Sequence, residues 1–209
     1  MNNDDLVSKS SYSSKYQNIE ELKKKVLPCT QCGLRQGCSK VVFGEGNPDA
    51  GIMLIGEGPG EEEDKLGRPF VGRAGQLLDK ILEAGGYDRF KHTYIANIVK
   101  CRPPKNRIPL PEERLTCMPW LVAQLEIIEP KIVILLGATA LQGLIDPNAK
   151  ITKMRGEWLT WQNKLVMPTY HPAALLRNPQ LKKPVWDDIR KVVAKYRELI
   201  DPAHVSPYC

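Results

Sequence analysis

The segment "GIMLIGEGPGEEEDKLGRPFVGRAG", Gly51 to Gly75, decides how the rest of the chain is read. It opens with a short apolar run bounded by glycine, the pattern of a buried strand. A glycine-rich stretch follows, carrying an unbroken acidic run from Glu61 to Asp64 and then Arg68, Phe70 and Arg73. A solvated turn requires neither that many glycines nor the phenylalanine. From Ala74 the apolar residues Leu77, Leu78, Ile81 and Leu82 mark one face of a helix, which Gly85-Gly86 ends. The unit is strand, unusual loop, helix.

The same alternation continues outward. "TYIANIVK" reads as a second strand, and "RPPKNRIPLP" as a stiff basic loop. A helix from Glu112 to Glu129 is started by proline and stopped before Pro130. "KIVILLG" is a third strand, with a short helix from Ala138 to Ile145 behind it, and "KLVMPTY" is a fourth. The last helix spans Pro184 to Ile200, with Val185, Ile189, Val192, Val193 and Tyr196 on its apolar face. Upstream, "IEELKKKVLPC" is a short helix ended near Pro28. Four strands alternating with helices predict an α/β fold, a parallel sheet covered on both faces. There is no internal repeat and no dividing linker. One domain is expected over 20–200, between a disordered polar extension (1–19) and a C-terminal tail (201–209).

Composition narrows the class. The chain has 209 residues, 42% hydrophobic and 26% charged, as in globular proteins. No apolar run approaches the ~18–20 residues of a membrane span. The N-terminus lacks the apolar centre of a secretory signal, so a cytoplasmic protein is expected. The net charge of +6 suits a polyanionic partner but does not identify one.

In parallel sheets the ligand sits beyond the carboxyl ends of the strands. Three unusual loops leave those ends: "GEGPG", "NIVKCRPP" and "TYHPAALLR". Glu57, Asn97 and His171 are therefore expected to converge. A dinucleotide site fits the glycine loop poorly, because no acidic residue closes the second strand and an acidic run repels pyrophosphate. A surface turn remains open for that loop, as do a turn role for Asn97 and a core role for Phe70. His92 and His204 stand in unremarkable polar contexts.

Six cysteines without an export signal do not suggest a disulfide framework. Cys29 and Cys32 form a CxxC, and Cys101 and Cys117 a C-x15-C pair. Zinc, an iron–sulfur cluster, inert core thiols and a redox CxxC are all open. The wide second spacing favours a cluster over zinc, whose structural sites use closer pairs. Cys38 competes for a ligand position.

Together, "GEGPGEEEDKLGRPFVGRAGQLLDKIL", "YIANIVKCRPPKNR", "YHPAALLR" and these cysteines resemble the family 4 uracil-DNA glycosylases, from about Pro28 to Ile200. The resemblance implies a three-layer α/β/α sandwich around a four-stranded parallel sheet. It implies a 4Fe–4S cluster held by Cys29, Cys32, Cys101 and Cys117, with Cys38 free. It places Glu57, Gly58 and Pro59 at the reacting centre and Phe70 against the base. Asn97 would read the base edge, His171 would sit at the carbonyl oxygen that gains charge, and Glu63 would fill the space a thymine methyl needs.

The implied activity is hydrolysis of the bond between deoxyribose and a flipped-out uracil, in single- or double-stranded DNA, by a monomer without membrane contact. Leu175, from an exposed pair with Leu176, would wedge into the vacated stack. Arg73, Lys105, Arg107 and Arg177 would contact phosphate, and Glu61 and Glu62 would be solvated.

Two departures define the expectation further. Family 1 enzymes carry aspartate where Gly58 stands, which leaves the water-orienting residue unassigned. A covalently trapping branch carries a histidine-containing insertion after the second strand, which this chain lacks. The rival reading is a non-catalytic or covalently trapping uracil-DNA binding module with a structural metal. A redox protein using the CxxC would leave the glycine loop and "HPAALL" unexplained.

Overall fold

The computed structural model describes residues 16–209. The expected disordered extension lies outside them as far as residue 15. Its last residues lead directly into α1 (Ile19–Val26), whose N-cap Asn18 accepts the Glu21 amide at 3.0 Å.

One sheet organises the chain, with the strands ordered β1-β3-β2-β4-β6-β5. The central four are β2 (Ile52–Gly56), β3 (Thr93–Asn97), β4 (Ile132–Leu136) and β6 (Lys164–Thr169), and they pair in parallel. These are the four strands expected. The sheet nevertheless has six, because β1 (Glu45–Gly46) adds to β3 and β5 (Leu159–Trp161) to β6, both antiparallel. Neither edge strand is long enough to show a period-2 pattern. β5 reaches β6 through Gln162 and Asn163, both left-handed (φ 45 and 63), the backbone a two-residue hairpin demands.

Every residue of β2, β3 and β4 is buried, as a parallel sheet covered on both faces requires. Met53, Ile55, Val133 and Leu135 pack in one core with Leu121 and Leu125 of α5 (Pro111–Ile128) and Leu141 of α6 (Ala138–Leu144). Ile52, Leu54, Ile132 and Ile134 point the other way. They meet Leu78 and Leu82 of α4 (Arg73–Ala84) and Val185, Ile189, Val192 and Val193 of α9 (Lys182–Leu199). The result is three layers, α/β/α. Helix α9 starts two residues before the expected Pro184, since proline is tolerated in a first helical turn.

Three segments read as loops or tail are more ordered than expected. The acidic run is a helix, α3 (Glu61–Leu66), and "HPAALLR" contains α8 (Pro172–Arg177). Two more short helices, α2 (Leu34–Gly37) and α7 (Ile151–Met154), were not anticipated. The C-terminal segment docks on the end of α4. The Nε2 of His204 lies 2.9 Å from the Gly85 carbonyl, and Ser206 Oγ donates to the Ala84 carbonyl at 2.9 Å. His204 is thus buried and stacked on Tyr87 (ring centroids 4.6 Å apart), not in a polar surface context. No helix among the described residues is long and apolar enough to cross a membrane.

Candidate active site

All four parallel strands end at one edge, and the loops leaving β2, β3 and β6 meet there as expected. The junction forms where β2 ends. A Cβ on Gly56 would lie 2.5 Å from Asn97 Oδ1 and 2.6 Å from Phe70 Cζ, so only glycine lets the amide and the ring meet over the strand. Asn97 is 2% exposed, and its Oδ1 is buried without a hydrogen-bond partner. A buried polar atom left unpaired costs ~1–3 kcal/mol unless something else satisfies it. That points to a ligand.

Beyond the strands, the Ile98 amide donates to the Gly56 carbonyl (2.9 Å) and the Val99 amide to that of Glu57 (3.2 Å). These bonds hold Glu57 beside Asn97. The Glu57 carboxylate accepts a hydrogen bond from Thr139 Oγ1, in the first turn of α6. At Gly58 a Cβ would meet the buried Val99 Cγ2 at 2.7 Å. Aspartate cannot stand there unless Val99 moves, which gives the departure at Gly58 a steric cause.

The acidic run mostly shapes the loop. Glu63 accepts the amides of Val71 and Gly72 through Oε1, each at 2.8 Å, and that of Gly60 through Oε2 at 3.1 Å. One carboxylate thereby ties the start of α3 to the segment after Phe70. Asp64 is buried, and Glu61 and Glu62 are exposed as expected. Acidic residues also suit the positive end of a helix.

Phe70 is buried in a left-handed conformation (φ 51), unusual for an aromatic residue. Arg89 holds it there, donating to the Phe70 carbonyl at 3.1 Å and to the Pro69 carbonyl. Arg89 is anchored in turn by Glu45 and Asp79, each at 2.8 Å. Arg89, Glu45 and Thr139 were missed in the sequence, and only Thr139, in the helical turn just beyond the β4 end, stood where a search could have found it.

His171 caps α8, and its Nδ1 accepts the Ala173 amide at 3.1 Å. The ring proton therefore sits on Nε2, which is free to donate. The ring is centred 5.5 Å from that of Phe70. Burial pushes its pKa down to about 4, the Arg177 charge adds to this and Glu63 opposes it. At neutral pH the imidazole is uncharged.

The wedge expectation needs a correction. Leu175 is 1% exposed and packs in the α4/α9 core, whereas Leu176 is 40% exposed. The helical turn of α8 separates the pair. Arg73, Lys105 and Arg177 are exposed, but Arg107 donates to both Glu113 oxygens (2.8 and 2.6 Å) and serves as a brace.

Cys29, Cys32, Cys101 and Cys117 line one cavity with Val26 and Trp120. Cys38 is outside that lining, its thiol 3.7 Å from the Arg35 carbonyl. Burial raises the Cys101 thiol and pushes Cys117 up to about 11, against the opposing charge of Lys100. Among the described residues, no group of three or more His, Cys, Asp or Glu is gathered closely enough to hold a metal ion. In donor type the four soft thiols fit iron–sulfur or zinc.

Lys100 lies between this cavity and Asn97. It is 2% exposed and donates to the Asn97 carbonyl (2.9 Å) and to Gln124 Oε1 (2.6 Å). Burial pushes its pKa down to about 8.

Two outcomes test this geometry. Alanine at a helical glycine ordinarily stabilises by ~1 kcal/mol. A Cβ on Gly75, however, would lie 1.9 Å from the Phe70 carbonyl oxygen. Gly75→Ala should therefore lower the melting temperature, and a rise would contradict the packing of α4 on Phe70. For His171, the folded-state pKa of about 4 lies below the ordinary 6.5, so the unfolded chain takes up the proton first. Its contribution to stability is full above pH 6.5 and is lost as pH falls through about 4. His171→Asn should lose less stability than wild type between pH 7 and pH 4 in urea titrations; parallel losses would refute the shift.

Comparison with known proteins identifies the family. The profile of the "Uracil DNA glycosylase superfamily" matches residues 43–190. A "Type-4 uracil-DNA glycosylase" of Thermotoga maritima is 50% identical over 177 residues, covering 83% of this chain and 92% of the relative. Proteins of the same description from Saccharolobus solfataricus and Sulfurisphaera tokodaii are 45% and 44% identical, covering 84% of this chain and 85% and 83% of theirs. The chain belongs to the uracil DNA glycosylase superfamily, among its type-4 members.

Proposed function

We infer that the chain is a uracil-DNA glycosylase of DNA repair, acting on uracil held out of the DNA stack. The observation that carries this reading is the buried, unpartnered Asn97 Oδ1 beside the Phe70 ring. Uracil offers N3–H as donor and O4 as acceptor. The Asn97 carbonyl takes the first and its amide answers the second. Cytosine reverses both, leaving buried groups unpaired. Phe70 supplies a stacking face worth ~1–3 kcal/mol.

In the reaction water adds at the sugar C1′ as the bond from C1′ to uracil N1 breaks. The electron pair goes to the base and spreads onto its O2, and the water proton leaves to solvent. His171 Nε2–H donates to that oxygen as charge develops. A preorganised donor of this kind contributes ~3–4 kcal/mol. Glu57, held by Thr139, places its negative charge near the sugar, which turns positive. With Gly58 where family 1 enzymes carry aspartate, Glu57 is also the acid we assign to orient water.

DNA approaches along Arg73, Lys105 and Arg177, contacting phosphate, and Leu176 takes the wedge role first given to Leu175. The protein acts as a monomer. Cys29, Cys32, Cys101 and Cys117 would hold a 4Fe–4S cluster, with thiols from the segment after α1, the segment after β3 and α5.

Release of free uracil from a labelled oligonucleotide tests the activity, and Asn97→Ala should cut single-turnover release ~100-fold or more. Wild-type rates in that variant would remove Asn97 as the base reader. Anaerobically purified protein should contain iron, and Cys117→Ala should lose iron and stability together while Cys38→Ala keeps both. Stoichiometric zinc in active protein would overturn the cluster assignment.

A further inference from the structure

Between β3 and α5 the chain passes through residues 102–110, "RPPKNRIPL". Three prolines stiffen this loop, and Lys105 and Asn106 are both left-handed (φ 53 and 55). Such residues cost ~1–3 kcal/mol each and persist only where their surroundings hold them. Here the holding is explicit. Arg102 donates to Asn106 Oδ1 at 2.7 Å, Arg107 clasps Glu113, and Glu113 accepts the Leu110 amide at 2.7 Å.

This braced loop leaves Ile108 65% exposed. A single exposed isoleucine is ordinary by itself. Its setting is not. A Cβ on Gly58 would lie 3.8 Å from Pro103 and 4.0 Å from Pro109, so the loop roofs the residue next to Glu57 and Ile108 sits one residue from that roof. Lys105, three residues away, has no hydrogen bond or ion pair among the described residues. The strand order supplies the remaining fact: β2 lies between β3 on one side and β4 and β6 on the other. Ile108 follows β3 and Leu176 follows β6. The two exposed apolar side chains therefore flank the β2 loop that receives the base.

We propose that Ile108 is a second duplex-inserting residue, entering the base stack across the flipped uracil from Leu176, with Lys105 on the adjoining phosphate. This rests on the glycosylase reading. An apolar side chain on a rigid, cationic support suits DNA, because insertion needs a wedge that does not fold back and a charge that meets the backbone. A protein partner would not require the loop to abut Gly58.

Single-turnover uracil release by wild type, Ile108→Ala and Ile108→Leu, from a U·A duplex and from the matched single strand, tests the inference. Ile108→Ala should be slowed roughly tenfold on the duplex and little on the single strand, where no stack must be opened. Ile108→Leu should stay near wild type on both. With 2-aminopurine beside the uracil, fluorescence should rise on wild-type binding and rise less with Ile108→Ala. Equal slowing on both substrates, or wild-type duplex rates for Ile108→Ala, would overturn the wedge while leaving the glycosylase reading intact. Failure of wild type to release uracil even from the single strand would overturn both.

Discussion

The site depends on one missing side chain. Because Gly56 has no Cβ, the Asn97 amide and the Phe70 ring come together over the end of β2, where any other residue would separate them. The rest of the loop follows from keeping Phe70 in that place. Its left-handed backbone is clamped by Arg89, whose guanidinium is held by Glu45 on the edge strand and Asp79 on α4. Gly75 lets α4 approach the Phe70 carbonyl, and Glu63 closes the loop by accepting amides from both of its ends. The acidic run thus answers to architecture before chemistry. Asp64 accepts the Ser39 and Lys40 amides at 2.9 and 3.3 Å, while Glu57, held by Thr139, stands outside the run at the end of β2.

A second dependence runs through the buried ammonium of Lys100. Transfer of an unpaired charge into the core is costly, and here two acceptors offset it. One is the backbone carbonyl of Asn97 and the other Gln124, which donates onward to the Phe43 carbonyl at 2.9 Å. The lysine directly precedes Cys101, so the cysteine cavity and the end of β3 at Asn97 share one polar anchor.

Much of this was legible in the sequence, for physical reasons. Fully buried parallel strands leave short apolar runs bounded by glycine, so β2, β3, β4 and β6 could be located, and with them the edge where Glu57, Asn97 and His171 meet. The edge strands were not legible. Two or three residues carry no periodicity, and the Gln162-Asn163 turn has no glycine to announce it. Helix α3 hid behind its composition, since an acidic run flanked by glycines reads as a solvated loop until Gly60 and Glu63 are seen as its cap. Leu175 and Leu176 could not be told apart without the orientation of α8. Arg89 and Glu45 act through partners distant in sequence, as Lys100 does through Gln124, and pairwise contacts between single residues leave no local pattern.

The central claim is that the site at the end of β2 reads the uracil edge through the unpartnered oxygen of Asn97. The most direct measurement is titration of free uracil, and separately of free cytosine, into 15N-labelled protein, following the assigned side-chain amide of Asn97. Uracil should shift that resonance at concentrations where cytosine leaves it unmoved. Equal shifts with both bases, or none with uracil in a protein that releases it from DNA, would contradict the claim.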